Sequence, residues 1–226
     1  MDFGGRNVVV TGGTGALGNA VVTALLECNA VCHIPSRTSD ESSQGRERAT
    51  IYPGVELADQ DRVDAFYDTV GPIWASIHLA GGFAAKPIGK ADKAHLLAQL
   101  ETNIVSCFLC CRAALNAMPQ GGRIVNVAAR PALEPRTGAG MTAYTIAKSG
   151  VAALTISLAE EVAKDGVLVN AVAPSIMDTA ANRQAMPKAD HALWPTVEQV
   201  AATILFLASP DNQVTRGAIV PVYGRS

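Results

Sequence analysis

The chain is short of charge. Charged side chains make up 17% of its 226 residues, and 18 basic against 20 acidic groups leave a formal net charge of −2. That balance gives no electrostatic basis for nucleic acid or an anionic membrane as partner. No apolar run reaches the roughly 18 residues that a bilayer span needs. Cysteine is scarce, and no Cys/His set has the spacing of a zinc site, so no metal is expected. Cys107, Cys110 and Cys111 fall in an apolar helical stretch, where Cys107 shares a face with Cys110 or Cys111. They read as buried structural thiols. Internal repeats, low-complexity tracts and linkers are missing. Met1 to Arg6 has no signal-peptide profile, and a cytoplasmic location is expected from it. What remains is a chain 49% hydrophobic, enough for one large domain over residues 1–226 with a well-buried core.

Strands and helices alternate along this chain. Val8 to Val10 is a buried strand that runs into Thr11-Gly12-Gly13-Thr14-Gly15-Ala16-Leu17-Gly18, and helical spacing begins at Asn19. Strand, glycine-rich turn and helix together let the backbone approach a phosphate at a helix N-terminus. A second strand, Ala30 to Ile34, ends at Pro35-Ser36-Arg37. Residues 50–57 read as a short third strand and residues 59–70 as an amphipathic helix. A fourth strand over 73–79 closes in Ala80-Gly81-Gly82. A long helix over 92–118 contains Asn103. Further strands are expected at 122–127, 167–172 and 218–222, with helices at about 142–164 and 196–208. The pattern predicts an α/β fold: a single Rossmann-type domain, its doubly wound parallel sheet covered by helices on both faces. Residues 175–195 are rich in breakers, lack clear periodicity and follow a strand end, which suits a substrate-covering lid.

In such a sheet ligands bind at the carboxyl ends of the strands, where the strand order reverses. An acid at the end of the second strand would bond a free ribose 2′-hydroxyl. Here Ser36 and Arg37 stand there instead, and a hydroxyl with a guanidinium suits a 2′-phosphate. NADP(H) is therefore favoured, with NAD(H) kept open. The competing reading of Arg37 is a solvated loop side chain beside Arg46 and Arg48; Asp40 and Glu41 lie too far along to be first choice for the ribose. Tyr144 and Lys148 are one helical turn apart on one face. A phenol titrates near pH 10, and a neighbouring ammonium favours its anion and moves it toward useful acid–base range. Alone, the pair also describes an ordinary half-exposed Tyr and a solvated Lys. His33, His78, His95 and His191 have no assignable partner; His78 reads as a satisfied core histidine.

The whole chain resembles the short-chain dehydrogenase/reductases. The resemblance rests on Thr11 to Gly18, Ala80-Gly81, Asn103 with Phe108, Ile124 to Val127, Tyr144 with Lys148, and Asn170 to Pro174 with Thr179. It implies an oxidoreductase with NAD(P)(H) bound along Gly12, Thr14, Gly15, Ala16 and Leu17. Further cofactor contacts would come from Ser36, Arg37, Ala80, Gly81, Gly82, Pro174, Ser175, Ile176 and Thr179, with Glu56 and Leu57 at the adenine. Tyr144 would be the general acid/base. Lys148 would lower its pKa and bond the nicotinamide ribose, and Asn103 would hold a relay water; Asn103 also reads as a polar residue at a helix kink. A homodimer or homotetramer through the helices at 92–118 and 142–164 is implied.

Departures from that pattern concern the substrate. Ala16 stands where the family has glycine, Leu79 where it has Asn, and Ser175 where it has Gly. The serine that normally holds the substrate carbonyl oxygen is replaced by Ala129. Losing one such donor costs about 100-fold in rate where an oxyanion develops. Thr137, Thr142 and Arg130 are candidate substitutes. Gly15 to Gly18, Ala80-Gly81-Gly82, Ala129 and residues 178–190 are similar to the dihydropteridine reductase subgroup, whose conjugated imine substrate needs no oxyanion donor. That subgroup carries an Asp where Ser36 stands. Three functions are thus weighed: an NADPH-dependent reductase of a small conjugated carbonyl or imine, a quinonoid dihydropteridine reductase, and a non-catalytic NADP(H)-binding sensor or structural protein.

Overall fold

The computed structural model describes residues 1–38 and 47–226; the readings at Asp40, Glu41 and Arg46 lie outside the described residues. The strands are β1 (Asn7–Thr11), β2 (Val31–Ser36), β3 (Ala49–Pro53), β4 (Ala75–His78), β5 (Gly122–Val127), β6 (Val167–Pro174) and β7 (Ile219–Val222). They form one sheet in the order β3-β2-β1-β4-β5-β6-β7, with every neighbouring pair parallel. The helices are α1 (Ala16–Glu27), α2 (Gln60–Val70), α3 (Lys93–Leu100), α4 (Ser106–Asn116), α5 (Arg130–Leu133), α6 (Thr142–Glu161), α7 (Ala180–Ala185) and α8 (Val197–Ala208).

Parallel strands buried on both faces need continuous apolar runs, and the central strands supply them. Val8, Val10, Ile77 and Val125 face the layer of α1 and α8. Val9, Ile124 and Val169 face the layer of α2, α4 and α6. β2 and β4 flank β1, so the winding reverses beside β1 and a crevice opens at the carboxyl ends there.

Several boundaries differ from expectation for local reasons. β3 stops at Pro53, because Gly54 takes φ of 76° and turns the chain away. β4 is shorter than the apolar run around it. α6 ends at Glu161, where a tight turn over Ala163–Asp165 takes over. The helix expected over 92–118 is interrupted: Glu101–Val105 widens into a π turn between α3 and α4. The region 175–195 contains more order than its breakers imply. α7 is capped by Thr179, Asp178 bridges to Thr196, and Trp194 is buried.

No apolar run reaches bilayer length, but one helical stretch comes near it in mean hydropathy. The continuous helical stretch Lys93–Asn116 is long and apolar enough to cross a membrane by length and composition. Here its apolar residues have another use: Cys107, Leu109, Cys110, Cys111, Ala113 and Ala114 are buried in the core.

Candidate active site

The site begins at the turn after β1. Gly12 sits at φ +67°, and a Cβ there would stand 2.8 Å from the Ala80 amide nitrogen. Glycine therefore lets the turns after β1 and β4 touch, and the Thr11 hydroxyl ties them by accepting from Ala80 N–H at 3.2 Å. Gly18 serves the same packing from inside α1, where a Cβ would come within 2.1 Å of the Gly12 carbonyl oxygen. Gly15 is the N-cap of α1, extended and without a side-chain cap. The first amides of α1 thus have no side chain standing over them, and a helix N-terminus presents free N–H groups and positive potential to an anion. Ala16 in place of glycine begins the helix without disturbing this.

A cleft of about 670 Å³ runs from this turn, lined by Gly12, Thr14, Gly15, Ser36, Arg37, Glu56, Leu57, Ala80 and Gly81 among others. Arg37 is exposed at its edge. The Ser36 hydroxyl accepts from Thr38 N–H at 3.3 Å, which curls the strand end around the rim. Glu56 turns a carboxylate oxygen back to Ala58 N–H. Thr102 and Ser106, from the π turn and α4, form the far wall; sequence reasoning missed both, because a regular helix would have placed them elsewhere.

Asn103 and Lys148 converge beside Gly81 in the cleft wall, with Tyr144 next to Lys148. Buried Asn103 bonds Gly82 in both directions: its Nδ2 donates to the Gly82 carbonyl at 2.9 Å and its Oδ1 accepts from Gly82 N–H at 3.2 Å. It also donates to Gln99 O at 3.0 Å, the carbonyl one turn back. The kink reading of Asn103 is thus the one its hydrogen bonds display. A Cβ on Gly81 would lie 2.8 Å from Asn103 Oδ1 and 3.3 Å from Lys148 Nζ, so Gly81 is the floor on which these groups converge. Lys148 is buried and donates to Val127 O at 2.8 Å, at the end of β5.

The ammonium lies 6.0 Å from the centre of the Tyr144 ring. Burial lowers Lys148 to about 8 and pushes the Tyr144 phenol up to about 12. The expected lowering of Tyr144 by Lys148 is therefore not what this arrangement shows. Desolvation of the phenol dominates, with the ammonium 6.0 Å from the ring centre rather than at the hydroxyl. Phe83, 63% exposed, stands edge-on to Tyr144 with ring centres 5.1 Å apart. Sequence reasoning missed it, although its place directly after Ala80-Gly81-Gly82 was the available signal.

The remaining candidates are held by local bonds. Ala129 is buried at the start of α5 and offers no hydroxyl. Thr142 is exposed in the first turn of α6, and the Thr137 hydroxyl donates to Glu134 O. Arg130 bonds Glu134 at 2.8 Å and Ser226 O at 3.2 Å and lies over the Tyr223 ring, so its guanidinium is engaged. The Ser175 hydroxyl donates to Tyr223 O at 3.0 Å and meets the Ser226 hydroxyl at 2.8 Å. Ile176 is exposed beside it, and the Thr179 hydroxyl caps α7 by accepting from Asn182 N–H. Pro174 ends β6. His33 has partners after all, in Tyr52 and Asn7. A second hollow of about 550 Å³ is lined by Asp178, His191, Trp194 and Arg225; neither it nor the first cleft has Tyr144 or Lys148 in its lining, and Lys148 comes to the first cleft only at Gly81.

A doubly wound parallel sheet with a glycine turn at its switch point, and a half-buried Tyr144 with a buried Lys148 beside it, defines a dinucleotide-type α/β site. The family model for short chain dehydrogenase matches residues 6–190, and the chain belongs to the short-chain dehydrogenase/reductase family of oxidoreductases. It is 32% identical over 240 residues to galactitol 2-dehydrogenase of Rhizobium johnstonii, covering 96% of this chain and 93% of that one. It is 29% identical over 242 residues to acetoacetyl-CoA reductase of Allochromatium vinosum, covering 97% of each. Among solved structures, a blue fluorescent protein from a metagenomic library, in complex with NADPH, superposes with a TM-score of 0.88. Its identity is 27%, over 99% of this chain and 98% of that one.

Proposed function

We propose that this chain is an NADPH-dependent reductase of a small conjugated carbonyl or imine compound, with Tyr144 as proton donor. The observation that carries this is that Asn103 and Lys148 converge beside Gly81 in the cleft wall, with Tyr144 next to Lys148, while position 129 holds an alanine. The cofactor fits what is present. Gly12 and Gly18 allow a close backbone approach, α1 opens on an uncapped terminus, and Arg37 with Ser36 edges the end where a 2′-phosphate would lie. The bound nicotinamide supplies the hydride. Tyr144 is protonated at neutral pH and so has the proton to give; burial raises its pKa to about 12, and Lys148 with the bound substrate must bring it back toward working range during turnover. Lys148 is charged below about pH 8 and orients by Val127 O. Asn103 fixes the loop that carries Gly82 and Phe83. With no hydroxyl at Ala129, delocalisation within the substrate takes the charge that an oxyanion donor otherwise would. Phe83 gives a planar substrate an aromatic wall beside Tyr144.

Residues 175–195 act as the lid in this reading. Exposed Leu97, Val105, Phe108, Ile146 and Ile156 on the long helices support a homodimer or homotetramer. The test is NADPH oxidation by the purified protein on enones, quinones, quinonoid dihydropterin and simple ketones. Turnover of conjugated compounds with simple ketones untouched is expected. Preference for simple ketones would overturn the substrate class, and turnover of the pterin alone would move the assignment to the dihydropteridine reductases.

A further inference from the structure

Where α4 packs on the ends of β4 and β5, the mechanism leaves a buried cluster unused. His78 ends β4, Asn126 pairs with it in register on β5, and Cys107 and Cys111 lie one turn apart on α4. All four are buried. The ligating atoms of His78, Cys107 and Cys111 lie within 4.8 Å of one another. The Cys111 sulfur is 3.5 Å from His78 Nδ1. Asn126 Oδ1 faces all three, at 2.8 Å from His78 Nδ1 and 3.3 and 3.5 Å from the sulfurs of Cys107 and Cys111.

The hydrogen bonds around Asn126 fix its orientation. Thr155 donates to Val151 O at 2.8 Å, so its oxygen accepts the amide hydrogen of Asn126 Nδ2 at 2.9 Å. Oδ1 then points into the cluster, and His78 must carry its proton on Nδ1. Three donors thus stand around one oxygen that has two lone pairs, and Cys111 shares its hydrogen between that oxygen and the Cys107 sulfur. A single cation suits the same four atoms better. Tetrahedral zinc, with bonds of about 2.3 Å to sulfur and 2.0–2.2 Å to nitrogen and oxygen, sets sulfur-to-nitrogen and sulfur-to-oxygen edges of about 3.5–3.6 Å. Three sulfur edges, Cys111 to His78 and each sulfur to Asn126, already have nearly that length at 3.3–3.5 Å, and the His78–Asn126 edge must open.

We propose that His78 Nδ1, the thiolates of Cys107 and Cys111, and Asn126 Oδ1 form a structural zinc site that pins α4 to the ends of β4 and β5. Two thiolates, one neutral imidazole and one amide neutralise Zn²⁺ and leave the buried site without net charge. Binding releases the two thiol protons, and the imidazole proton moves from Nδ1 to Nε2. An acceptor waits there. Ser76 Oγ is 2.8 Å from His78 Nε2 and is itself backed by Tyr67 at 2.7 Å, the outer support that a ligating histidine needs. The expectation of no zinc-site spacing missed this set because His78 is 33 residues from Cys111 and reaches it only through the sheet. Cys110, on the same helix, lies outside the cage.

The test uses the full chain expressed in medium supplemented with zinc or, separately, cobalt. About one zinc per chain is expected by elemental analysis. The cobalt form should show a thiolate-to-metal charge-transfer band and intense visible bands of tetrahedral cobalt. A Cys28→Ser/Cys110→Ser double variant should keep both metal and bands, whereas Cys107→Ser or Cys111→Ser should lose at least about tenfold in metal content. If those single variants do not fold, the double variant decides alone. Metal-free protein without cobalt bands, metal that survives in Cys107→Ser, or bands lost in the double variant would overturn the site.

Discussion

At the residue scale the account turns on what burial does to Lys148 and Tyr144. An unfolded lysine titrates near 10.5, whereas folded Lys148 titrates at about 8 because burial penalises its charged form. Between those values the unfolded chain binds more protons than the folded one, so stability rises with pH across that window. Below it the ammonium is charged in both states, and burying it weighs on the fold in full. Tyr144 acts with the opposite sign. Its ordinary value is 10.0 and its folded value about 12, so above pH 10 the unfolded chain releases that proton first and stability falls. The thermal midpoint should therefore climb above pH 8 and turn over near 10. Lys148→Met should flatten the climb; an unchanged climb in that variant would assign it to another group. Arg37 belongs to the same scale. Replacing a charge-assisted contact costs about 1.5–3 kcal/mol, or roughly 10- to 100-fold in affinity. Arg37→Asp should weaken NADPH binding by that factor and improve NADH, as read by fluorescence titration. Equal affinity of the unmodified protein for both cofactors would remove the 2′-phosphate role.

At the element scale, the π turn is what places the inner wall. It aims Asn103 at Gly82 while setting Thr102 and Ser106 on the cleft. Such turns arise where a side chain inserts into the helical ladder, and here Asn103 bonds Gln99 O within its own helix. Asn103→Ala would strip Gly82 of both backbone partners. A stability loss of about 1–3 kcal/mol by chemical unfolding is expected, with reduced turnover because Phe83 loses its anchor. A midpoint within error of the parent would mean water serves Gly82 equally well. Strand and helix identities were legible in the sequence, because the apolar periods of 2 and 3.6 are local signals. The π turn, the fold of 175–195 and the Cys107/His78 neighbourhood were not. The π turn depends on the bonds of Asn103 to Gln99 and Gly82, the 175–195 order on the Thr179 cap and the Asp178–Thr196 bridge, and the His78 neighbourhood on helix-to-sheet contacts, none of which a hydrophobic period encodes.

At the scale of the whole molecule, the strand order brings distant segments to one crevice. Thr11, Ala80, Val127 and Pro174 all lie at or just past the carboxyl ends of strands in one parallel sheet, so motifs far apart in sequence come to the same end of it. The glycine turn, Gly81, Asn103, Tyr144 and Lys148 were legible in the sequence for that reason. Phe83 and the engagement of Arg130 and Ser175 with Tyr223 and Ser226 were not, since they depend on side-chain packing at the rim. The measurement that tests the central claim most directly is NADPH oxidation on a conjugated substrate by Tyr144→Phe beside the unmodified protein. NADPH affinity should be nearly unchanged while turnover falls at least about 100-fold, the lower end of what a positioned proton donor contributes. Turnover that survives in Tyr144→Phe would contradict the account and place the proton source elsewhere.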